Sequence, residues 1–351
     1  MPDAPESLTI VPSRHIRKTT LHDVAVVERR ADGRIKRAFV NSETVVSTSW
    51  GDLVPQFSGD SDGDSRRPRL AAVRLDSEGR LASLALERMQ ELDTPLGPLP
   101  AELVTFHEDG SLKRVFPLNG KLSAYWSWQN EYTLAPEIAL PLPAAVRREE
   151  CAHQTARFIN IQLSPDGALR SATLWPGETL DINTPLGPAR ARVGVSFHEN
   201  GRLASFEPDT PFCAATLIGE FHAYDPDPEA VSGDVNSLAF APDGSVCRVT
   251  TVQDAIRVEK TDGSVRRFAP QNAGDLCRSS MDLDDPEGMP DAPGPLTVWF
   301  DEGKVCIAHG RVGASGALPE PQAVYGLQDA AFSVEPLRRG MALAPLQRSC
   351  G

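Results

Sequence analysis

Two histidines stand at matching places in the chain and are the residues best suited to do chemistry. His107 lies in FHEDGSL and His198 in FHENGRL, each three residues before a glycine. Imidazole nitrogens bind metals and exchange protons near neutral pH, so two of them on neighbouring hairpins could share a metal ion. A surface position that recurs with its hairpin explains them equally well. Because no complete zinc-ligand spacing accompanies them, we expect no metal and no cofactor, and we assign both to a candidate partner or ligand surface.

A cluster of aromatic residues in LSAYWSWQNEY, residues 122–132, is the second candidate. Trp126 and Trp128 are separated by one serine, so on a β-strand both side chains would point to one face, with Tyr125 nearby. Two indoles on one face suit a sugar or a proline of a partner protein. Burial is the alternative, because aromatic residues make up only 6% of this chain and a local cluster commonly fills the core. We add Tyr125, Trp126 and Trp128 to the candidate surface.

Sequence signatures of catalysis are missing. The chain contains no G-x-S-x-G elbow, no glycine-rich phosphate loop after a strand and no H-E-x-x-H motif. Serine, histidine and aspartate residues are plentiful, but their spacing singles out no triad. We therefore predict no catalytic residue. The pattern favours a protein that is not an enzyme, while a site assembled from distant strands stays open.

The elements that must position these residues are β-hairpins. Six glycines follow Asp, Glu or Asn, with an apolar residue four positions before the glycine and another two after it: Gly79, Gly110, Gly167, Gly201, Gly244 and Gly303. A three-residue loop made of a type I turn and a glycine with positive φ places those apolar residues opposite each other. The pairs predicted beside the turn are Leu75 with Leu81, Phe106 with Leu112, Leu163 with Leu169, Phe197 with Leu203, and Phe240 with Val246. The pairs predicted one rung further out are Val73 with Ser83, Ile161 with Ser171, and Val195 with Ser205.

A second turn alternates with the first. TPLG occurs at 94–97 and 184–187, and the related TLIG and TSWG occur at 216–219 and 48–51. Proline fixes one φ and glycine tolerates another, which suits a turn. We predict an all-β fold of tandem β-hairpin repeats that form an antiparallel meander with an open or rolled sheet. Acidic-glycine turns are expected along one edge and Thr-Pro turns along the other.

The spacing of the turns also predicts the domain organisation. TPLG and the FHE motif recur at nearly the same separation, so residues 70–133 and 157–222 are interpreted as a tandem duplication. We divide the chain into N-terminal hairpins and a linker (1–66), a duplicated hairpin region (67–230), and C-terminal hairpins with a cap (231–351).

Composition limits the partners. A net charge of −13 and a pI near 5.1 repel nucleic-acid phosphates and anionic lipid headgroups, so we expect a protein partner, no nucleic acid and no membrane. The N-terminus lacks a charged start followed by an apolar core, and no run approaches the ~18 apolar residues of a membrane span. The six cysteines show no paired spacing that would suggest a disulfide framework. We therefore predict a cytoplasmic protein.

In its tandem hairpins, each with an aromatic or aliphatic residue, a short turn, Gly-x-Leu and a following serine, the chain resembles the MORN-variant repeat proteins over residues 70–260. The Tyr-x-Gly-x-Trp core and the second close glycine of the standard MORN pattern are missing. The resemblance implies an elongated antiparallel sheet that binds or scaffolds other proteins, some members being linked to toxin–antitoxin systems. It carries over no catalytic residue, because the shared residues are structural.

A β-propeller is the alternative fold. FAPDG and LSPDG turns with short flanking strands also suit propeller blades, which recur every ~40 to 50 residues. The turn glycines of this chain are irregularly spaced, which favours the meander.

Two functions correspond to these two folds. The first is a non-enzymatic protein-interaction or scaffold module. The alternative is a small-molecule or carbohydrate-binding protein or hydrolase with a propeller-like or barrel-like pocket. His107, His198 and two or more carboxylates around one pocket would favour the alternative.

Overall fold

The computed structural model describes residues 6–59, 66–119, 128–149, 154–227, 233–271, 294–313 and 315–337. Nearly all the regular structure in these ranges is β-strand, so the predicted all-β class is confirmed. The chain divides into two compact units. Unit 1 comprises Met1–Phe206 and Ala230–Val235, and unit 2 comprises Glu207–Glu229 and Asn236–Gly351.

Unit 1 contains an antiparallel meander. Its strands are β1 (Glu6–Ile10), β2 (Thr19–Arg29), β3 (Ile35–Val40), β4 (Val46–Thr48), β5 (Gly51–Leu53), β6 (Val73–Leu75), β7 (Leu81–Thr94), β8 (Gly97–Phe106), β9 (Leu112–Phe116), β10 (Glu137–Ile138), β11 (Ala156–Leu163), β12 (Leu169–Leu174), β13 (Thr179–Thr184), β14 (Gly187–Phe197) and the first part of β15 (Leu203–Pro208). A short helix, α1 (Trp128–Leu134), lies between β9 and β10 in the chain.

The order of strand pairing decides between the two predicted folds. β1, β2, β3, β6, β7, β8, β9, β11, β12 and β14 pair in that order, each antiparallel to the one before. β4 and β5 form a separate hairpin, β10 pairs with β11, and β13 pairs with β14. Because β9 pairs with β11, the two predicted copies share one sheet and are not separate blades. The antiparallel meander is confirmed, and the propeller alternative is wrong.

Unit 2 is built from shorter groups of strands. Its strands are β16 (Phe212–Thr216), β17 (Gly219–Ala223), β18 (Leu238–Phe240), β19 (Val246–Thr251), β20 (Asp254–Lys260), β21 (Val265–Phe268), β22 (Leu296–Asp301), β23 (Lys304–His309), β24 (Ala323–Gly326) and β25 (Ala330–Pro336). β18, β19, β22, β23 and β24 pair in that order. β20 lies between β21 and β25, and β16 and β17 form their own hairpin.

The acidic-glycine hairpins begin with the predicted apolar pair. The observed partners are Leu75 with Leu81, Phe106 with Leu112, Leu163 with Leu169, and Phe240 with Val246. Phe197 with Leu203 stays a prediction. The turn glycines have positive φ, for example 84° at Gly110, as the three-residue loop requires.

The next rung outward differs from the prediction by one residue. Ser83 lies opposite Arg74, not Val73, and Ser171 lies opposite Gln162, not Ile161. The hydroxyls of Ser196 and Ser205 are hydrogen-bonded at 2.7 Å, which fits the same shift away from Val195. The cause is a β-bulge directly after the first pair, because one extra residue in the second strand moves every later rung.

The hairpin at Gly303 uses a different turn. Its loop consists of Glu302 and Gly303 alone, with φ of 43° and 76°. Two consecutive residues with positive φ form a type I′ turn, which joins strands through two residues. Trp299 therefore pairs with Cys306 and not with Val305, so this sixth glycine does not follow the predicted pattern.

The Thr-x-x-Gly turns are confirmed, and one pattern of threonine bonds recurs in all four. Thr94 Oγ1 donates to Gly97 O at 2.6 Å and accepts from the backbone N–H of Leu96 at 3.2 Å. The equivalent bonds are made by Thr48, Thr184 and Thr216. The hydroxyl satisfies one backbone donor and one backbone acceptor, which explains why threonine opens each of these turns.

The long hairpin of β7 and β8 bends halfway along. Its pairing breaks where residues 86–89 of β7 face Glu102 alone in β8. The TPLG tip turns back until Pro95 lies against Gly167, so that a Cβ added to Gly167 would be 2.6 Å from Pro95 Cγ. The prediction that the two kinds of turn keep to opposite edges is therefore wrong, because a large bulge of four residues against one bends the hairpin.

β14 has a break at the matching place. β12 pairs with β14 from Gly194 onward, and β13 pairs with it up to Arg192. Val193, between them, has φ of 59°, a strained value for a β-branched residue. The pairing is thus interrupted at one residue of each strand, Glu102 in β8 and Val193 in β14.

The helix α1 corrects the prediction for the aromatic cluster. Trp128 is its first residue, so the strand expected there is wrong at this position. Glu131 lies in the first turn, where a carboxylate interacts favourably with the helix dipole. Within the described ranges, no helix is long and apolar enough to cross a membrane.

Candidate functional site

The tips of the acidic-glycine hairpins in unit 1 form the candidate site. A short polar side chain just before the glycine holds the turns at Gly110 and Gly201: Asp109 Oδ1 accepts from the N–H of Ser111 at 2.9 Å, and in the sister turn Asn200 Oδ1 accepts from the N–H of Arg202 at 3.0 Å. Such bonds from Asp and Asn to the backbone two residues on are typical of turns. Glu108 and Glu199 precede these residues and are exposed.

A groove of about 510 Å³ lies beside these tips. Its wall is largely apolar and includes Leu96, Pro141, Pro143, Pro165 and Leu169. Charged and polar side chains complete it, namely Asp166, Arg170, His198 and Glu199. Leu96 reaches this place only because the β7–β8 hairpin bends, which carries its tip to the turn at Gly167.

The two predicted histidines lie in different places. His198 lines the groove, whereas His107 lies in a neighbouring depression beside Pro165. His107 Nε2 donates to Leu163 O at 3.0 Å, because a carbonyl can only accept, so this imidazole joins two hairpins. The part of the chain that the structure describes contains no group of three or more His, Cys, Asp or Glu side chains able to hold a metal ion.

The groove and the depression carry more acidic than basic side chains. The carboxylates are Glu108, Asp109, Asp166 and Glu199, and the cations are Lys113 and Arg170. Arg170 also donates from Nη1 to Phe197 O at 2.9 Å. Burial alone would raise the pKa of Asp109, but hydrogen bonds from Ser111 outweigh it and leave that pKa below its usual value. This edge therefore presents negative charge at neutral pH.

The lowered pKa of Asp109 predicts a pH-dependent contribution to stability. A carboxylate whose pKa is lower in the folded protein stabilises it above the unfolded pKa, and that contribution disappears as pH falls through the folded pKa. We expect Asp109→Asn to be less stable than the original protein at neutral pH, with the difference disappearing as the pH falls below the unfolded pKa of aspartate and through the lower folded pKa. Urea denaturation at several pH values measures the stability difference at neutral pH and its disappearance at low pH.

The sister turn supplies the control for this prediction. It already uses Asn200 for the same backbone bond, so the amide is compatible with the turn. Asn200→Asp should therefore introduce a pH dependence of the same sign as that of Asp109, although Arg202 stands where Ser111 also supplies a hydroxyl in the first turn. A constant stability difference between Asp109→Asn and the original protein at every pH would contradict the account.

The structure describes only part of the predicted aromatic surface. Tyr125 and Trp126 lie outside the described residues, and Trp128 begins α1. Their assignment to a partner or ligand surface stays a prediction.

A buried group of charges fixes α1 to the bent hairpin. Glu102, at the bend of β8, accepts two hydrogen bonds from Arg66, at 2.8 and 3.2 Å, and one from the N–H of Asn119 at 2.8 Å. Arg66 also reaches Glu131 of α1 at 3.5 Å, and Arg67 lies 3.4 Å from Glu102. Both carboxylate side chains are almost fully buried, and burial raises the pKa of Glu131. This group is structural, since both carboxylates are paired with arginines.

Sequence reasoning missed most of the groove. His198 was predicted, but Leu96, Pro141 and Pro143 come from segments far from it in the chain. The available signal was the proline-rich stretch 135–149, whose sequence is compatible with a connection between the two copies or with an extended strand that crosses an edge. The bend that brings Leu96 to this place has no counterpart in the hairpin pattern.

Comparison with known proteins assigns no family. A scan against protein-family models finds no match to this chain. A search of the curated proteins also finds no significant match. The groove, the turns and the polar groups around them therefore carry the functional proposal.

Proposed function

We propose that this chain is a non-enzymatic protein-interaction module and that the groove beside the hairpin tips binds an extended segment of a partner protein. The observation that carries the proposal is the composition of the groove, with prolines and leucines on its wall and carboxylates at its rim. Apolar contact in such a groove supplies affinity, and complementary charge supplies orientation and association rate.

The charge of the site defines the partner. Glu199 and Asp166 line the groove, Glu108 and Asp109 line the adjoining depression, and the chain carries a net charge of −13. A segment that combines lysine or arginine with apolar side chains complements these surfaces. The groove and the depression both include Pro165, which gives room for several consecutive residues of an extended segment.

The alternative function, a small-molecule or carbohydrate binder or a hydrolase, has less support. That function predicts that His107, His198 and carboxylates surround one pocket. In the structure, His198 lines the groove and His107 lines the neighbouring depression. His107 Nε2 is already bonded to Leu163 O. An open groove that includes one histidine suits a peptide segment better than acid–base chemistry.

The proposal includes the tandem duplication and the MORN-like architecture. The stretches 70–133 and 157–222 each contain an acidic-glycine turn, a bent long hairpin with a TPLG tip and a second acidic-glycine turn, which supports descent from one ancestral unit. A scaffold role in the cytoplasm is consistent with the free thiols of Cys213, Cys247 and Cys306.

The leucines of the two TPLG tips provide the test. Leu96 lines the groove, whereas Leu186 has the same place in the second tip, is 38% exposed and does not line it. We expect Leu96→Asp to weaken partner binding at least about tenfold, because the apolar side chains of the segment lose the leucine they pack against and meet a hydrated carboxylate, a loss larger than the attraction of one more negative charge at this acidic site. Leu186→Asp should bind normally.

The measurement begins with co-purification of the tagged chain and both variants from the native cells at moderate salt. Quantitative mass spectrometry identifies the partner, and titration with the purified partner then gives the three affinities. Equal affinities for Leu96→Asp and Leu186→Asp would exclude the groove as the binding site.

A further inference from the structure

A second chemically distinctive place lies in unit 2, on the hairpin of β16 and β17. Cys213 and His222 are direct cross-strand partners there. The Cβ atoms of such partners lie about 4.5–5.5 Å apart and on the same face, so the thiol and the imidazole are neighbours. Cys213 is exposed, and the His222 side chain is 37% exposed. Both groups are accessible to small molecules.

The buried carboxylate of Asp254 is hydrogen-bonded to the imidazole of His222. Asp254 is fully buried, and its Oδ1 lies 3.0 Å from His222 Nδ1. Its Oδ2 accepts from the backbone N–H of His222 at 2.5 Å and from Thr251 Oγ1 at 3.1 Å. A carboxylate in this position keeps the proton on Nδ1 and leaves the lone pair on Nε2. Among the described residues, no hydrogen bond engages Nε2.

The thiol needs a base. Partial desolvation raises the pKa of the Cys213 thiol although the residue is exposed, and the charges of Glu220 and Asp254 raise it further, so the thiol is protonated at neutral pH. Only the thiolate is a nucleophile. His222 lies on the neighbouring strand, and its Nε2 can accept that proton while Nδ1 is bonded to Asp254.

The other described cysteines lack this arrangement. Cys306 lies opposite Trp299 and Val324, and Cys247 is the extra residue of a β-bulge. Burial raises the pKa of both thiols. Of the three described cysteines, Cys213 is the one with a histidine as its cross-strand partner.

We propose that Cys213 is a site of thiol–disulfide exchange with low-molecular-weight disulfides, with His222 as the base and Asp254 as its positioning residue. The Cys213 thiol gives its proton to His222 Nε2, and Sγ attacks one sulfur of the disulfide. The disulfide S–S bond breaks as the new one forms, and the departing thiolate takes the proton from His222. The disulfide is the oxidant, so the exchange needs no further reagent. This site is independent of the groove in unit 1.

The test follows the rate at which the full-length protein forms a mixed disulfide with an aromatic disulfide that releases a coloured thiolate. Mass spectrometry assigns the label to individual cysteines. We expect His222→Gln to slow labelling of Cys213 roughly tenfold or more at neutral pH, with the two rates converging at high pH, where hydroxide removes the proton. His22→Gln, which changes an exposed histidine of β2, should have no effect.

Two further readouts separate this chemistry from a loss of structure. Labelling of Cys247 in the same samples should stay at its original rate. Asp254→Asn should lower the neutral-pH rate at Cys213 and leave its high-pH rate unchanged, as expected for a residue that acts through His222. An unchanged Cys213 rate in His222→Gln, or identical pH profiles for the two proteins, would overturn the proposal.

Discussion

Replacing Glu102 by glutamine should lower the free energy of unfolding by about 3–5 kcal/mol, because it leaves buried arginine charge without its partner. The Glu102 side chain is 4% exposed and is bonded to Arg66 and to the N–H of Asn119. In the variant, Glu131 would be the remaining carboxylate paired with Arg66, and Arg67 would interact with Glu87 and Glu131. Urea denaturation monitored by circular dichroism measures the change.

Glu91→Gln is the matched control for this substitution. Glu91 lies on β7 of the same hairpin and is exposed, so the identical chemical change there should alter stability by no more than about 0.5 kcal/mol. A loss below about 1 kcal/mol in Glu102→Gln would show that the ion pairs add little beyond a surface salt bridge. The bend of β8 would then need another explanation.

Replacing Gly110 by valine should cost about 2–6 kcal/mol, the sum of two effects. Gly110 has φ of 84°, and a β-branched residue in that region is strained by about 1–3 kcal/mol. A Cβ at this position would also lie 2.9 Å from Ser13 Cβ and still closer to its hydroxyl, so overpacking adds about 1–3 kcal/mol.

Gly33 allows the two effects to be separated. It has φ of 83°, and a Cβ added there would meet nothing within 4 Å. Gly33→Val should therefore show the cost of backbone strain alone. Adding Ser13→Gly to Gly110→Val should recover part of the difference between the two glycine variants. Equal losses for Gly33→Val and Gly110→Val would mean that Ser13 moves aside freely.

Local turn chemistry explains why much of the fold was predictable. The glycine at 110 and its counterparts require positive φ, and that requirement fixes the apolar pair beside each turn, such as Phe106 with Leu112. Threonine bonds in the TPLG turns are equally local, since the Thr94 hydroxyl bonds to Leu96 and Gly97 of the same turn. A motif of four to seven residues contains all the atoms involved.

Features that depend on distant contacts were not predictable in this way. The pattern of apolar residues does not indicate the bulge beyond the first pair. The predicted partners of Ser83 and Ser171 were therefore wrong by one residue. The bend at Glu102 depends on Arg66 and Asn119, which are far away in sequence. The same holds for Trp128, whose helix is anchored through Glu131 to Arg66.

The candidate site shows the same limit. His198 and Glu199 could be found because they belong to a hairpin motif. The apolar wall could not, because it forms only after the TPLG tip with Leu96 has turned back to the hairpin at Gly167. The matching sequence positions of the two histidines do not give them matching roles. His107 is hydrogen-bonded to Leu163 of another hairpin, whereas His198 lines the groove.

Site-specific photo-crosslinking in the native cells tests the central claim most directly. A photoreactive amino acid replaces Leu96 in one protein and Leu186 in another, and mass spectrometry identifies the crosslinked peptide. We predict that position 96 crosslinks to one partner through a segment rich in lysine or arginine, and that position 186 does not. Crosslinks to the same partner from both positions, or to an acidic segment from position 96, would contradict the account.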